Sequence, residues 1–204
     1  MAKMLDAVGI PCGHEKIFSL AINTNLILCD DSAYLAESSW LAVPFLNSVL
    51  LEDTPIIHIV RDPLDVISSY LSNKIYLIKK SPYWIYQAAF EPWMYDEKVT
   101  ALEMACAHYW YWNDRIESYK DRTYFFHRIE DDAEEFLNNL GHSVIDDKVS
   151  PGYNHVKDIA HRVTWEEIMN CQMQDEQLKE RLIEMTKRYG YDACDKYNFA
   201  NVTP

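Results

Sequence analysis

The hydrophobic pattern changes period several times along the chain. Pro55-Ile56-Ile57-His58-Ile59-Val60 is a short apolar run rich in β-branched residues, the pattern of a buried, parallel strand over 55–60. Arg61-Asp62-Pro63 follows, then Leu64-Asp65-Val66-Ile67-Ser68-Ser69-Tyr70-Leu71 with helical spacing. Asp62 is a favourable N-cap and Pro63 a favourable first helical residue. Strand, tight turn and helix in this order leave an arginine at the carboxyl end of the strand, where open α/β sheets bind ligands. A second such unit is Thr123-Tyr124-Phe125-Phe126-His127-Arg128-Ile129, with Asp131-Asp132 capping a helix from Ala133 to Leu140 and Gly141 as its stop. Lys16-Ile17-Phe18-Ser19-Leu20 is a third strand-like run.

Helical patterns cover Met1 to Val8, Ser38 to Leu51 and Lys98 to Lys120. Thr164-Trp165-Glu166-Glu167 is a capping box. The last helix is expected from Asp175 to Tyr189, with Leu178, Leu182 and Met185 as its buried stripe and Gly190 as its stop. Ser81 to Tyr95 is aromatic-rich and reads as an irregular insertion. Alternating strands and helices predict an α/β protein with a largely parallel, three-layer sheet, in one domain over 1–204.

Composition narrows the classes. Hydrophobic residues make up 49% and charged residues 25% of the 204 positions, as in an ordinary globular domain. No apolar run approaches the roughly 20 residues of a membrane span, and the first residues lack the apolar stretch of a signal peptide. Nineteen basic against 32 acidic residues give a formal charge of −13, the opposite of what nucleic acid or an anionic membrane attracts. An anionic ligand therefore needs a local basic pocket. Five cysteines without a CxxC pair argue against a disulfide framework or a zinc site and fit a reducing, cytoplasmic compartment.

Arg61 and Ser69 are the clearest candidates for chemistry. A guanidinium at a helix entrance can grip two oxygens of one phosphate where the helix dipole already favours an anion. From Asp62 to Ser69 a helix turns through roughly 700°, close to two full circles. The Ser69 hydroxyl therefore points along the stripe that begins at the helix start. The same spacing fits a plainer arrangement, with Arg61 paired to Asp62 or Asp65 and the serine bonded back to its own helix.

The run from His58 to Ser69 resembles the motif with which sulfotransferases hold the 3′-phosphate of PAPS (3′-phosphoadenosine-5′-phosphosulfate): a strand ending in Arg, then Asn/Asp-Pro, then Ser eight residues after the Arg. Arg61 and Ser69 match both phosphate-contacting positions. Gly13-His14-Glu15 is similar to the GHE segment of bacterial-type members, Ser38-Ser39-Trp40 with Pro44 to their SSW helix, and Arg128-Ile129-Glu130-Asp131 to the R-x-E-D strand end of the family. The four segments stand in the family's order. The resemblance implies a P-loop NTPase-like fold and transfer of a sulfuryl group from PAPS to a hydroxyl or amine, without a metal.

The resemblance also implies roles. Glu15 is the first candidate for the base that takes the acceptor proton and His14 the second; pairing of Glu15 with Lys16, and of His14 with a loop carbonyl, is the alternative. Arg162, beside His161, occupies the stretch where the family brings a late basic loop over the nucleotide, and simple solvation of this stretch fits as well. Arg128 is expected to tie its strand to the next helix. Tyr109 to Trp112 are expected in the core, and the loops Ser81 to Tyr86 and Pro92 to Tyr95 against the acceptor, a carbohydrate or other small hydroxylated molecule. The family's phosphosulfate loop, of the Lys/Arg-Ser-Gly-Thr-Thr type, and its first strand have no counterpart here; Met1 to Val8 resembles the helix that follows them. Weak PAP (desulfated PAPS) binding and poor transfer by the 204-residue chain are therefore expected. A catalytically inactive nucleotide-binding or interaction protein is the alternative function.

Overall fold

The computed structural model describes residues 5, 8–14, 18, 36–47, 51–73, 77–91, 93, 96–141 and 161–191. The chain is mixed α/β. Its strands are β1 (Cys12–His14), β2 (Ala36–Ser38), β3 (Ile56–Val60) and β4 (Tyr124–Arg128). Its α-helices are α1 (Pro63–Ser72), α2 (Pro82–Phe90), α3 (Ala101–Glu117), α4 (Ala133–Asn139), α5 (Trp165–Asn170) and α6 (Leu178–Arg188). It divides into two compact units, one of residues 1–59 and 115–156, the other of 60–114 and 157–204.

In the first unit β1 lies parallel to β2, with Cys12 opposite Ala36 and His14 opposite Ser38. β3 is hydrogen-bonded to β4 in a second two-stranded sheet, and the Ile56 amide donates to the Thr123 carbonyl at 2.9 Å. β3 alternates, burying Ile56 and His58 while Ile57 and Ile59 are half-buried. The strand expected over 55–60 is thus present, and so is that over 123–129. Among the described residues the sheets have two strands each, and the three-layer parallel sheet is not among them. The expected strand 16–20 and helix 1–8 lie, but for Phe18, Leu5 and Val8, outside the described residues.

The helix expected over 38–51 is corrected. Among the described residues of this stretch, Ala36–Ser38 is extended and Trp40–Phe45 coils as a 3-10 helix capped by the Ser39 hydroxyl, which accepts from the Leu41 amide. Pro44 lies inside it, and a proline there cannot supply the amide an α-helix requires. The irregular insertion at 81–95 is corrected too: 82–90 is helical. The Ser81 hydroxyl accepts from the Trp84 amide at 3.1 Å, Pro82 starts the helix where its missing amide is harmless, and Tyr86 packs edge-on against Phe90 with ring centres 5.3 Å apart. Here proline opens the segment; it does not disrupt it.

The core of the second unit gathers Val60, Ile67, Ala105, Cys106, Ile168, Leu178, Leu182 and Met185. α6 buries Leu178, Leu182 and Met185 as its spacing requires. It stops at Gly190, whose φ is 75°, and the Tyr191 amide reaches back to the Thr186 carbonyl at 3.1 Å, the bond that closes such a glycine-ended helix. Among the described residues, the first unit gathers Leu5, Val8, Cys12, Phe136 and Leu137.

Leu182 is fully buried, and Leu182→Ala is expected to cost about 2–5 kcal/mol of stability, measured by urea denaturation as a lowered midpoint at unchanged slope. His127 is buried against Phe136, the rings stacked at 4.3 Å. Burial holds its pKa below the ordinary histidine value, Asp131 opposing. Between that lowered value and about 6.5 the unfolded chain binds the additional proton. Stability is therefore expected to fall as the pH drops from about 6.5 through this window, and His127→Gln to flatten the fall in thermal melts across pH.

Candidate functional site

The second unit builds its site on the turn from β3 into α1. The Asp62 carboxylate caps α1, accepting from the amides of Leu64 at 2.8 Å and Asp65 at 3.3 Å. The Tyr109 hydroxyl donates to the Arg61 carbonyl at 3.0 Å, and the Tyr191 hydroxyl to the Val60 carbonyl at 3.4 Å. The backbone around Arg61 is thereby held on both sides by tyrosines from α3 and from the residue after Gly190. With Asp62 on the first free amides, an incoming anion at this helix start meets side chains before backbone.

Those side chains are two arginines facing one carboxylate. Arg61 Nη2 lies 4.0 Å from Asp65 Oδ2, and Arg162 Nη1 lies 3.6 Å from Asp65 Oδ1. The Arg162 side chain is 77% exposed, and that of Arg61 is half-buried at 31%. Ser69 follows Asp65 by one helical turn, and residues so spaced share a stripe. Arg61 and Arg162 thus meet at Asp65, and Ser69 lies one turn further along α1. The Arg61–Asp65 pair of the plainer reading is present as well. The back-bonded serine is Ser68, not Ser69: its hydroxyl donates to the Leu64 carbonyl at 2.5 Å.

Comparison with protein-family models, curated proteins and solved structures finds no match. The geometry carries the argument.

In the first unit, two segments singled out in the sequence are brought side by side. Gly13 and His14 of the GHE segment lie in β1 and Ser38 of the SSW segment ends β2, so His14 faces Ser38 across the parallel pair. His14 Nδ1 lies 2.9 Å from the Ser38 carbonyl, and the ring is exposed. A carbonyl only accepts, so Nδ1 carries the proton; in the neutral ring Nε2 is then the proton acceptor. Glu15, like Lys16 and Lys157, lies outside the described residues. Arg128 grips Asp131 through Nε at 3.0 Å and Nη2 at 2.8 Å, tying β4 to the turn before α4 as expected. His58 Nδ1 is 2.5 Å from the Tyr124 hydroxyl. Burial, reinforced by the Glu117 charge, raises that phenol's pKa well above its ordinary value.

The second unit also holds polar groups that sequence reasoning missed. Glu91 is fully buried, with Oε1 2.6 Å from His108 Nδ1, and the Tyr70 hydroxyl donates to Gln87 Oε1 at 2.8 Å. The helical spacing of Gln87 and Glu91 was the signal available once 82–90 is known to coil. Tyr109 and Trp112 are buried and Trp110 and Tyr111 half-buried, which bears out a core role for most of that run. Among the described residues no group of three or more His, Cys, Asp or Glu side chains could hold a metal, and no helix is long and apolar enough to cross a membrane.

Proposed function

We propose that the chain is a PAPS-dependent sulfotransferase with a P-loop-like fold, acting on a carbohydrate or other small hydroxylated or amine-bearing acceptor in the cytoplasm. The observation that carries the reading is the pair of guanidinium groups, Arg61 and Arg162, on either side of one carboxylate at the start of α1, on the stripe of Ser69. A phosphate offers more acceptor oxygens than the Asp65 carboxylate, and arginine forks suit it. In this reading Arg61, Ser69 and Arg162 hold the 3′-phosphate of PAPS and of its product PAP.

The chemistry follows from the donor. A base takes the proton of the acceptor hydroxyl or amine, and the resemblance names Glu15 first and His14 second for that role. The acceptor oxygen or nitrogen bonds to the sulfur while the bridging bond from sulfur to the 5′-phosphate oxygen breaks. Those two electrons leave on PAP, and the proton stays on the base until solvent removes it. His14 suits the role because its Nδ1 is tied to a carbonyl, leaving Nε2 to accept.

The test is calorimetry with PAP and with adenosine 5′-monophosphate, which lacks the 3′-phosphate. PAP is expected to bind the wild type more tightly than the monophosphate. Arg61→Ala is expected to weaken PAP at least about tenfold and to erase most of that preference, because charge-assisted hydrogen bonds contribute about 1.5–3 kcal/mol each and about 1.4 kcal/mol is tenfold. Equal PAP binding by wild type and Arg61→Ala would overturn the assignment.

A further inference from the structure

Arg162 reaches Asp65 from a segment distant in sequence, and something must hold that segment to α1. Its local hydrogen bonds mostly run to its own helix. Thr164 and Glu167 form the capping box of α5, with the Thr164 amide 2.8 Å from Glu167 Oε2 and the Glu167 amide 3.2 Å from Thr164 Oγ1. His161 Nε2 lies 2.7 Å from Glu167 Oε1. None of these bonds fixes Arg162 relative to Arg61.

The backbone bond that does so ends on Ser68. The Val163 amide donates to Ser68 Oγ at 2.8 Å, while that hydroxyl donates its own proton to the Leu64 carbonyl. Ser68 is 1% exposed and Val163 is buried in the core of the second unit. One hydroxyl thus fills both of its roles, and the residue next to Arg162 is fastened to the helix that carries Asp65 and Ser69. We infer that Ser68 is a positioning residue of the anion site: it touches no ligand, and it holds the 161–164 segment so that Arg162 converges with Arg61 on the same phosphate. This inference rests on the nucleotide reading above.

The experiment is PAP calorimetry at several salt concentrations on the wild type, Ser68→Ala, Arg162→Ala and the double variant. Ser68→Ala and Arg162→Ala are each expected to weaken PAP by about three- to tenfold, as for loss of one exposed charged contact. Both should show the same shallower salt dependence, since one cation no longer faces the ligand. The double variant should bind no more weakly than Arg162→Ala. Alanine suits a helix interior; if that variant does not fold, Ser68→Cys fills the space without a strong acceptor and is expected to bind in the same way. Wild-type affinity and salt slope in the Ser68 variants, or losses that simply add in the double variant, would overturn the positioning role and leave the nucleotide reading standing. Arg162→Ala equal to wild type would overturn it too, with Arg61→Ala still reporting on the nucleotide. No PAP binding by the wild type would overturn both.

Discussion

Burying the end of a strand leaves backbone groups that must find partners, and the second unit is organised around that demand. The carbonyls of Val60 and Arg61 have no strand to follow them, because Asp62 and Pro63 start a helix. Two tyrosine hydroxyls, from Tyr191 and Tyr109, satisfy them. Leaving a buried acceptor unpaired costs about 1–3 kcal/mol, comparable to a sizeable part of a domain's stability. The direction of Arg61, the entry angle of α1 and the site at its start all depend on these contacts. Tyr191 reaches Val60 because Gly190 turns the chain back at the end of α6, so a helix stop far along the sequence helps to aim an arginine.

The parts of this arrangement written locally were legible in the sequence. Asp62 and Pro63 announce the start of α1, Thr164 and Glu167 the start of α5, and Gly190 the end of α6, because each acts on backbone within a few residues of itself. Arg61 and Ser69 were legible in place, one just before α1 and the other on its second turn, because the helix start was legible. The misreadings share a physical cause. In 81–95 the density of aromatic residues and the presence of proline suggested irregular chain, whereas Ser81 caps the segment and Pro82 opens it. In 38–51 an apolar pattern suggested one α-helix, whereas Ser38 is extended and Trp40–Phe45, with Pro44 inside it, is a 3-10 helix. Ser68, Tyr191 and the Glu91–His108 pair were not legible, since each works through a partner distant in the chain that only tertiary packing supplies.

Net charge acts at a different range from the site. A formal charge of −13 opposes the approach of an anion, but salt confines that field to about 8–10 Å. Within this distance the local balance decides. Arg61 and Arg162 bring two positive charges against the carboxylates of Asp62 and Asp65, and Asp62 turns its charge to the amides of Leu64 and Asp65. An acidic protein can hold an anionic nucleotide in this way without attracting polyanions generally.

Asp65 makes the site more than a basic patch. Two guanidinium groups aimed at one point repel each other, and the carboxylate between them offsets that repulsion while no ligand is bound. It also competes with whatever arrives. A monoanionic carboxylate ligand would bring the arginines little that Asp65 does not already supply, and it would meet the aspartate's own charge. A phosphate monoester carries close to two charges near neutral pH and has three terminal oxygens to share between two forks. Under the proposed reading the internal carboxylate thus acts as a threshold: it keeps Arg61 and Arg162 converged, and it yields to a terminal phosphate more readily than to weaker anions.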